Sequence, residues 1–235
     1  MTLIKTLHAV ASAVHVVSAI LVAVFAGRLG WLIVNEFATA ISHAIGFIIW
    51  SDWERTDKTV KRKQEWKKLE YTRRWIEYAV TAGLLEVAIL DTDDVPLILT
   101  ILTLNAVLQV FGWILDAREG MLFLLLIGFG LLGVEVSLIA FWSSKPVRTI
   151  VIYAVLYALF GVVQTLHKFN VLPYDEDHIY TLLSITTKVV LTWTLVAQER
   201  TDDSLEIWVN VVGFAVLLVG GILLWDNTGR RNRGV

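Results

Sequence analysis

The chain has 235 residues, of which 56% are hydrophobic and 18% charged, with no cysteine and a formal net charge of −2. Soluble domains carry about 45–50% apolar and about 25% charged residues, so this composition excludes a disordered chain. The missing cysteines exclude a disulfide framework and a thiolate metal centre. The near-neutral charge, with no basic face, excludes an ordinary nucleic-acid binder. What remains is a multi-pass helical membrane protein, in keeping with a mean hydropathy of +0.66.

A membrane helix needs about 20 mostly apolar residues. Eight such runs follow one another: His8–Ala26, Trp31–Trp50, Arg73–Leu90, Pro96–Leu115, Met121–Trp142, Val147–Lys168, His178–Ala197 and Leu205–Trp225. The first has a basic flank and a small-residue end like a secretory leader, but its length and the lack of a following soluble domain favour a span. Pro96 sits at a span start, and Pro146 and Pro173 fall in connections, so no proline interrupts a helix interior. Short connections make consecutive helices antiparallel neighbours. The long charged link Ser51–Thr72 reads as a helical extension of the third span plus a short turn. No repeat, low-complexity stretch or second domain is evident. Residues 1–198 form a seven-helix bundle, and residues 199–235 add an apolar helix and a basic tail to the same membrane domain.

Short loops on the cytoplasmic side carry the Lys and Arg excess. With the N-terminus inside, that side receives Lys5, the cluster Arg55–Arg74, Arg118, Lys168 and Arg230, Arg231 and Arg233. The outside receives only Arg28, Lys145, Arg148 and Arg200, together with the acidic loop Asp91–Asp94. Both termini are therefore expected in the cytoplasm.

Of nine lysines, eight lie in tails, loops or span ends, and Lys188 stands at the middle of the seventh run. A lysine at the bilayer centre costs about 2.5–3.5 kcal/mol on insertion scales. Snorkelling is excluded by the distance to either span end. A structural ion pair within the bundle is one reading. A lysine whose desolvated amine condenses with a carbonyl ligand is the sharper one. A cationic Lys188 needs a buried anion. Glu77 in the third run is the best candidate, with Arg74 one turn away to share its charge, although an Arg74–Glu77 pair at the interface would account for Glu77 alone. Glu86, nine residues on, falls on the opposite helix face about 13 Å along the axis and cannot serve the same site. Glu135 lies within the fifth run, and Glu36 and Asp116 lie near span ends. Tyr180, Ser184, Lys188 and Thr192 share one face of the seventh helix. Ser184 either bonds near the amine or back-bonds to its own helix.

In three blocks the chain resembles the heliorhodopsins, a family of retinal-binding membrane proteins. These are Arg74-Trp75-Ile76-Glu77-Tyr78, then Asn105 with Phe111-Gly112-Trp113, and the spacing Tyr180, Leu183, Ser184, Lys188, Leu191 and Trp193. His15 and His43 fall where the family carries histidines, and the similarity covers about residues 5–198. The resemblance implies a rhodopsin-like seven-helix bundle with all-trans retinal on a protonated Schiff base at Lys188 and Glu77 as its counterion. Ser184, Trp193 and Asn105 would line or adjoin the chromophore. His15 and His43 would form a polar cavity on the cytoplasmic side, and the family's N-terminus is also inside. Two departures stand out. The family's long loop between its first two helices, which takes part in dimer contacts, is reduced here to Gly27–Gly30, so a homodimer is less secure. The run Leu205–Trp225 is an additional helix.

If the counterion holds a proton on the Lys188 nitrogen until light moves the N–H dipole, the fate of that proton decides the function. Retained among His15 and His43, it makes a photosensor engaged in sensory transduction. Carried on by Glu86 and Glu135, it makes a light-gated proton channel. The bland alternatives are core histidines satisfied by a neighbour and interfacial carboxylates. A pigment-free transporter or assembly protein with an internal Lys–Glu pair is the reading from another class. The sequence indicates no enzymatic function and no nucleic-acid partner. Its partners are the lipid bilayer and retinal.

Overall fold

The computed structural model describes residues 3–26, 29–55, 60–117, 123–169, 171 and 176–232, with side chains described outside 54–64, 176 and 221–232. The described residues form eight helices: α1 (Leu3–Phe25), α2 (Gly30–Arg55), α3 (Val60–Leu90), α4 (Val95–Ala117), α5 (Phe123–Trp142), α6 (Val147–Lys168), α7 (Glu176–Glu199) and α8 (Asp203–Asn232). No strand occurs among the described residues. Successive helices pack side by side, and α1 returns against α7 to close a seven-helix ring. The third helix leans inward, reaching both α5 and α7, while α8 packs on the outer side of α7.

Among the described residues, seven helices are long and apolar enough to cross a membrane: α1, α2, α4, α5, α6, α7 and the 203–220 part of α8. The expected third span, Arg73–Leu90, is the exception. It carries Arg73, Arg74, Glu77 and Glu86 in its last five turns, too many charges for a lipid-facing helix. Instead α3 packs between α2 and α4 and turns those charges inward, where all four are buried or nearly so. As the charged link suggests, α3 begins well before the apolar run, at Val60.

The polarity of the bundle is inverted relative to a water-soluble protein. Val24 (71%), Leu126 (77%) and Phe141 (79%) are exposed, whereas His8, His15, Glu36, Glu86 and Glu135 are fully buried. Apolar surface of this extent is at home in lipid, and buried charge must find partners within the bundle. These features make the protein a multi-pass helical membrane protein. An apolar core of Leu85, Ile89, Ile101, Tyr153, Leu156, Leu191 and Leu195 ties α3, α4, α6 and α7 together in one half of the bundle.

Local chemistry fixes the ends. Asp94 caps α4 by accepting the Leu97 N–H at 3.1 Å, and Asp202 caps α8 through the Leu205 N–H at 3.0 Å. Pro146 stands at the N-cap of α6 and Pro96 in the first turn of α4, while Pro173 lies outside the described residues. The α7–α8 turn is a Schellman motif. Asp202 N–H bonds back to Ala197 and Thr201 N–H to Gln198, with Thr201 in the left-handed region at φ 52°.

Candidate functional site

The centre of the bundle is built around one carboxylate. Lys188, midway along α7 and 3% exposed, directs Nζ onto Glu77 Oε1 of α3. Ser184, one turn earlier on α7, donates to the same oxygen at 3.0 Å. The other oxygen, Oε2, accepts Ser42 Oγ of α2 at 2.6 Å and Arg73 Nη1 at 2.8 Å. Four donors from three helices thus hold Glu77, and two of them are cations. Arg73 also grips Glu70, one turn down α3, so the cluster of two cations and two carboxylates is formally neutral.

The arginine that shares the charge of Glu77 is therefore Arg73, not Arg74 as expected. Positions 73 and 77 stand at i, i+4 on one face, while Arg74 is rotated by about 100°. Its guanidinium turns the other way, pairing with Asp116 at 2.7 Å and Asp177 at 2.8 Å and lying over the Tyr180 ring at 4.1 Å. Asp116, expected near a span end, is a buried junction that also accepts Trp75 Nε1 and Gln164 Nε2, each at 2.6 Å. Glu36, placed near a span end by the same reasoning, is fully buried.

A histidine cluster lies beside the central carboxylate. His43 Nε2 is 3.9 Å from Glu77 Oε1, and His43 Nδ1 is 3.0 Å from His8 Nδ1. His8 Nε2 lies 3.5 Å from Glu70 Oε1. His15 stacks on His43 with ring centres 5.9 Å apart, and its Nδ1 sits 2.6 Å from Glu36 Oε2. Glu36 Oε1 accepts Thr192 Oγ1 of α7 at 2.6 Å. The α7 stripe is thus used in full: Tyr180 donates to Gln164, Ser184 and Lys188 to Glu77, and Thr192 to Glu36. Sequence reasoning passed over His8, although it stands seven residues before His15 on the same α1 face. It also passed over Ser42 and Glu70.

Lys188 borders a cavity of about 800 Å³, measured with its open mouth, between α3, α4, α5, α6 and α7. Its walls are aromatic and aliphatic, including Trp75, Tyr78, Phe129, Tyr157 and Phe160, with Thr187 beside Lys188 and two amides, Gln109 and Gln164. Gly112 lets Trp75 reach this wall, because a Cβ there would stand 2.3 Å from the indole. Asn105 bonds the Ala79 carbonyl at 2.9 Å and accepts from Gln109, so it stands behind the lining. Trp193 faces away, donating to Ser18 of α1 at 3.0 Å, and is not among the lining residues. Neither Glu86 nor Glu135 pairs with Lys188, whose amine is on Glu77, and Glu86 instead accepts Tyr153 OH at 2.9 Å.

Chemically, the centre offers a desolvated amine at the edge of an apolar, aromatic-walled cavity. A carboxylate fixed in place by four donors balances that amine, and imidazoles stand next to the carboxylate. No protein-family model, curated protein or solved structure matches the chain.

Proposed function

We propose that the protein is a light receptor of the heliorhodopsin type, carrying all-trans retinal on Lys188, with its N-terminus on the cytoplasmic side. The observation that carries the reading is the pairing of a buried mid-helix lysine with a fixed buried carboxylate at the wall of an apolar, aromatic-lined cavity. The residues present fit such a group. Nζ of Lys188 reaches the cavity, the walls suit a polyene, and Glu77 supplies the anion that a linked cation needs in low dielectric. When bound, retinal would supply visible absorption and a light-driven change of shape.

The remaining work falls to the chain's own side chains. Ser42, Ser184 and Arg73 hold both Glu77 oxygens, so the anion has one position and the proton at Nζ of Lys188 a fixed partner. A proton released from Nζ meets Glu77 first. His43, 3.9 Å from that carboxylate, and His8 beyond it continue the polar string to Glu70. Arg73 binds both carboxylates at the ends of that string. A proton held on the imidazoles changes the charge between α1, α2 and α3, which is the kind of local event a sensor needs.

A second reading, a light-gated proton channel, draws on Glu86 and Glu135, which extend ionisable groups beyond Lys188 along α3 and α5. A pigment-free membrane protein with a Lys–Glu ion pair is the third. Adding all-trans retinal to the purified chain tests the first: a visible band that hydroxylamine bleaches and that Lys188→Ala abolishes is expected. No band, or one that survives Lys188→Ala, overturns the reading. Photocurrent under voltage clamp, across pH gradients, separates receptor from channel.

A further inference from the structure

Away from the lysine, Glu86 of α3 and Glu135 of α5 are each 0% exposed. Four carboxyl oxygens share a single hydrogen bond, from Tyr153 OH to Glu86 Oε1 at 2.9 Å. Glu86 Oε2 and both oxygens of Glu135 have no hydrogen-bond partner. Among the described residues, no lysine, arginine or histidine pairs with either acid, in contrast to Glu36, Glu70, Glu77 and Asp116. Glu135 lies within electrostatic reach of both Glu86 and Tyr153, where α3 packs on α5. Tyr157, whose ring centre is 4.5 Å from that of Tyr153, feels both acids and lines the cavity.

Two ionised carboxylates in this position would each forfeit hydration without a cation in return, and would repel one another. Bringing in a proton removes one charge and leaves the other to the tyrosine hydroxyl. We infer that Glu86 and Glu135 form a buried proton-binding site that holds one proton at neutral pH, resting on Glu135, while Glu86 keeps the Tyr153 hydroxyl. Glu135 takes the proton because neither of its oxygens has a donor. Glu86 stands about 13.5 Å beyond Glu77 along α3, at 1.5 Å per residue. The histidine cluster is gathered at Glu77 itself, so the two proton-holding groups are separate.

Infrared spectroscopy of the full chain in membranes, without added retinal, tests the site. The site needs no chromophore, so its failure leaves the proposed light reception standing, and failure of retinal to bind leaves the site standing. A carboxylic-acid C=O stretch at neutral pH that shifts in D₂O is expected. Glu135→Gln should remove it, and Glu86→Gln and Tyr153→Phe should move it. With the variants unfolded, isotope labelling of glutamate in the unaltered chain identifies the band instead. No acid band at neutral pH, one unchanged by Glu135→Gln, or one that vanishes on adding sodium would overturn the inference; the last result would make the pair a cation site.

Discussion

At Glu77 one oxygen serves Lys188 and Ser184 and the other serves Arg73 and Ser42. The two sides of the Lys188–Glu77 pair are therefore not equivalent. Lys188→Met leaves Glu77 with Arg73, so thermal stability of the purified chain should change little. Glu77→Leu leaves Lys188 buried with no other carboxylate in hydrogen-bond reach, and should cost about 3–5 kcal/mol. Equal losses from the two substitutions would show that the pairing is not the organising contact. In retinal-loaded protein, Glu77→Gln keeps the shape and removes the charge, so the visible band should move to longer wavelength or the linked nitrogen should lose its proton at lower pH. An unchanged spectrum and titration would assign the counterion to another group. Lys188 and Glu77 were legible in the sequence because a lone charge within an apolar run has few explanations. The identity of the helping arginine was not, because Arg73 and Arg74 are adjacent and only the rotation of α3 distinguishes them.

Among the elements, α8 is bound to α7 by close approach and by a hydrogen bond from Gln198 to the Glu206 carboxylate at 3.3 Å. A Cβ at Gly213 would stand 2.1 Å from Val190 Cγ2, and Asn210 Nδ2 donates to Thr194 at 3.3 Å. Gly213→Leu should therefore separate the two helices, costing about 1–3 kcal/mol as overpacking does, read as a lower melting temperature in detergent. No change would mean that α8 is loosely attached. At the helix ends, Asp91 follows α3 in the left-handed region at φ 53° and joins the α3–α4 turn to the α5–α6 turn, with Lys145 Nζ at 2.9 Å and Ser144 Oγ at 2.9 Å. Partial burial raises the Asp91 carboxyl, but the hydrogen bonds from Lys145 and Ser144 and the Lys145 charge outweigh it and hold the group below its ordinary 3.8. A carboxyl lowered in the folded state stabilises above its unfolded value, and that stability is lost as pH falls through the folded value. The stability difference between the wild-type chain and Asp91→Asn should be full above pH 3.8 and vanish in stronger acid. It should be small, since the Asp91 side chain is 47% exposed. A difference that persists unchanged into acid would remove the ion pair from the account. The helices themselves were legible from apolar run length, with Val147–Lys168 matching in full. The caps and the Thr201 turn were not, because short polar residues abound in every connection.

For the molecule as a whole, the charge asymmetry of the loops supports a cytoplasmic N-terminus. The cysteine-free sequence makes this simple to test. Asp93→Cys should react with an impermeant maleimide added to intact cells, and Glu65→Cys only after permeabilisation; the reverse pattern would invert the topology. All eight helices were legible as apolar runs, but α3 spends its polar residues on its neighbours and, among the described residues, is not apolar enough by length and composition to count as a span with the other seven. The same trade hides the polar centre. Glu36 and Asp116 look like ordinary boundary residues until the ring closes around them. The α7 stripe has a mechanical corollary. Its four polar rungs grip Gln164 on α6, Glu77 on α3 and Glu36 on α2. That helix works as a camshaft, and a small twist about its axis, begun at the amine, would tug three flanking rods at different heights at once.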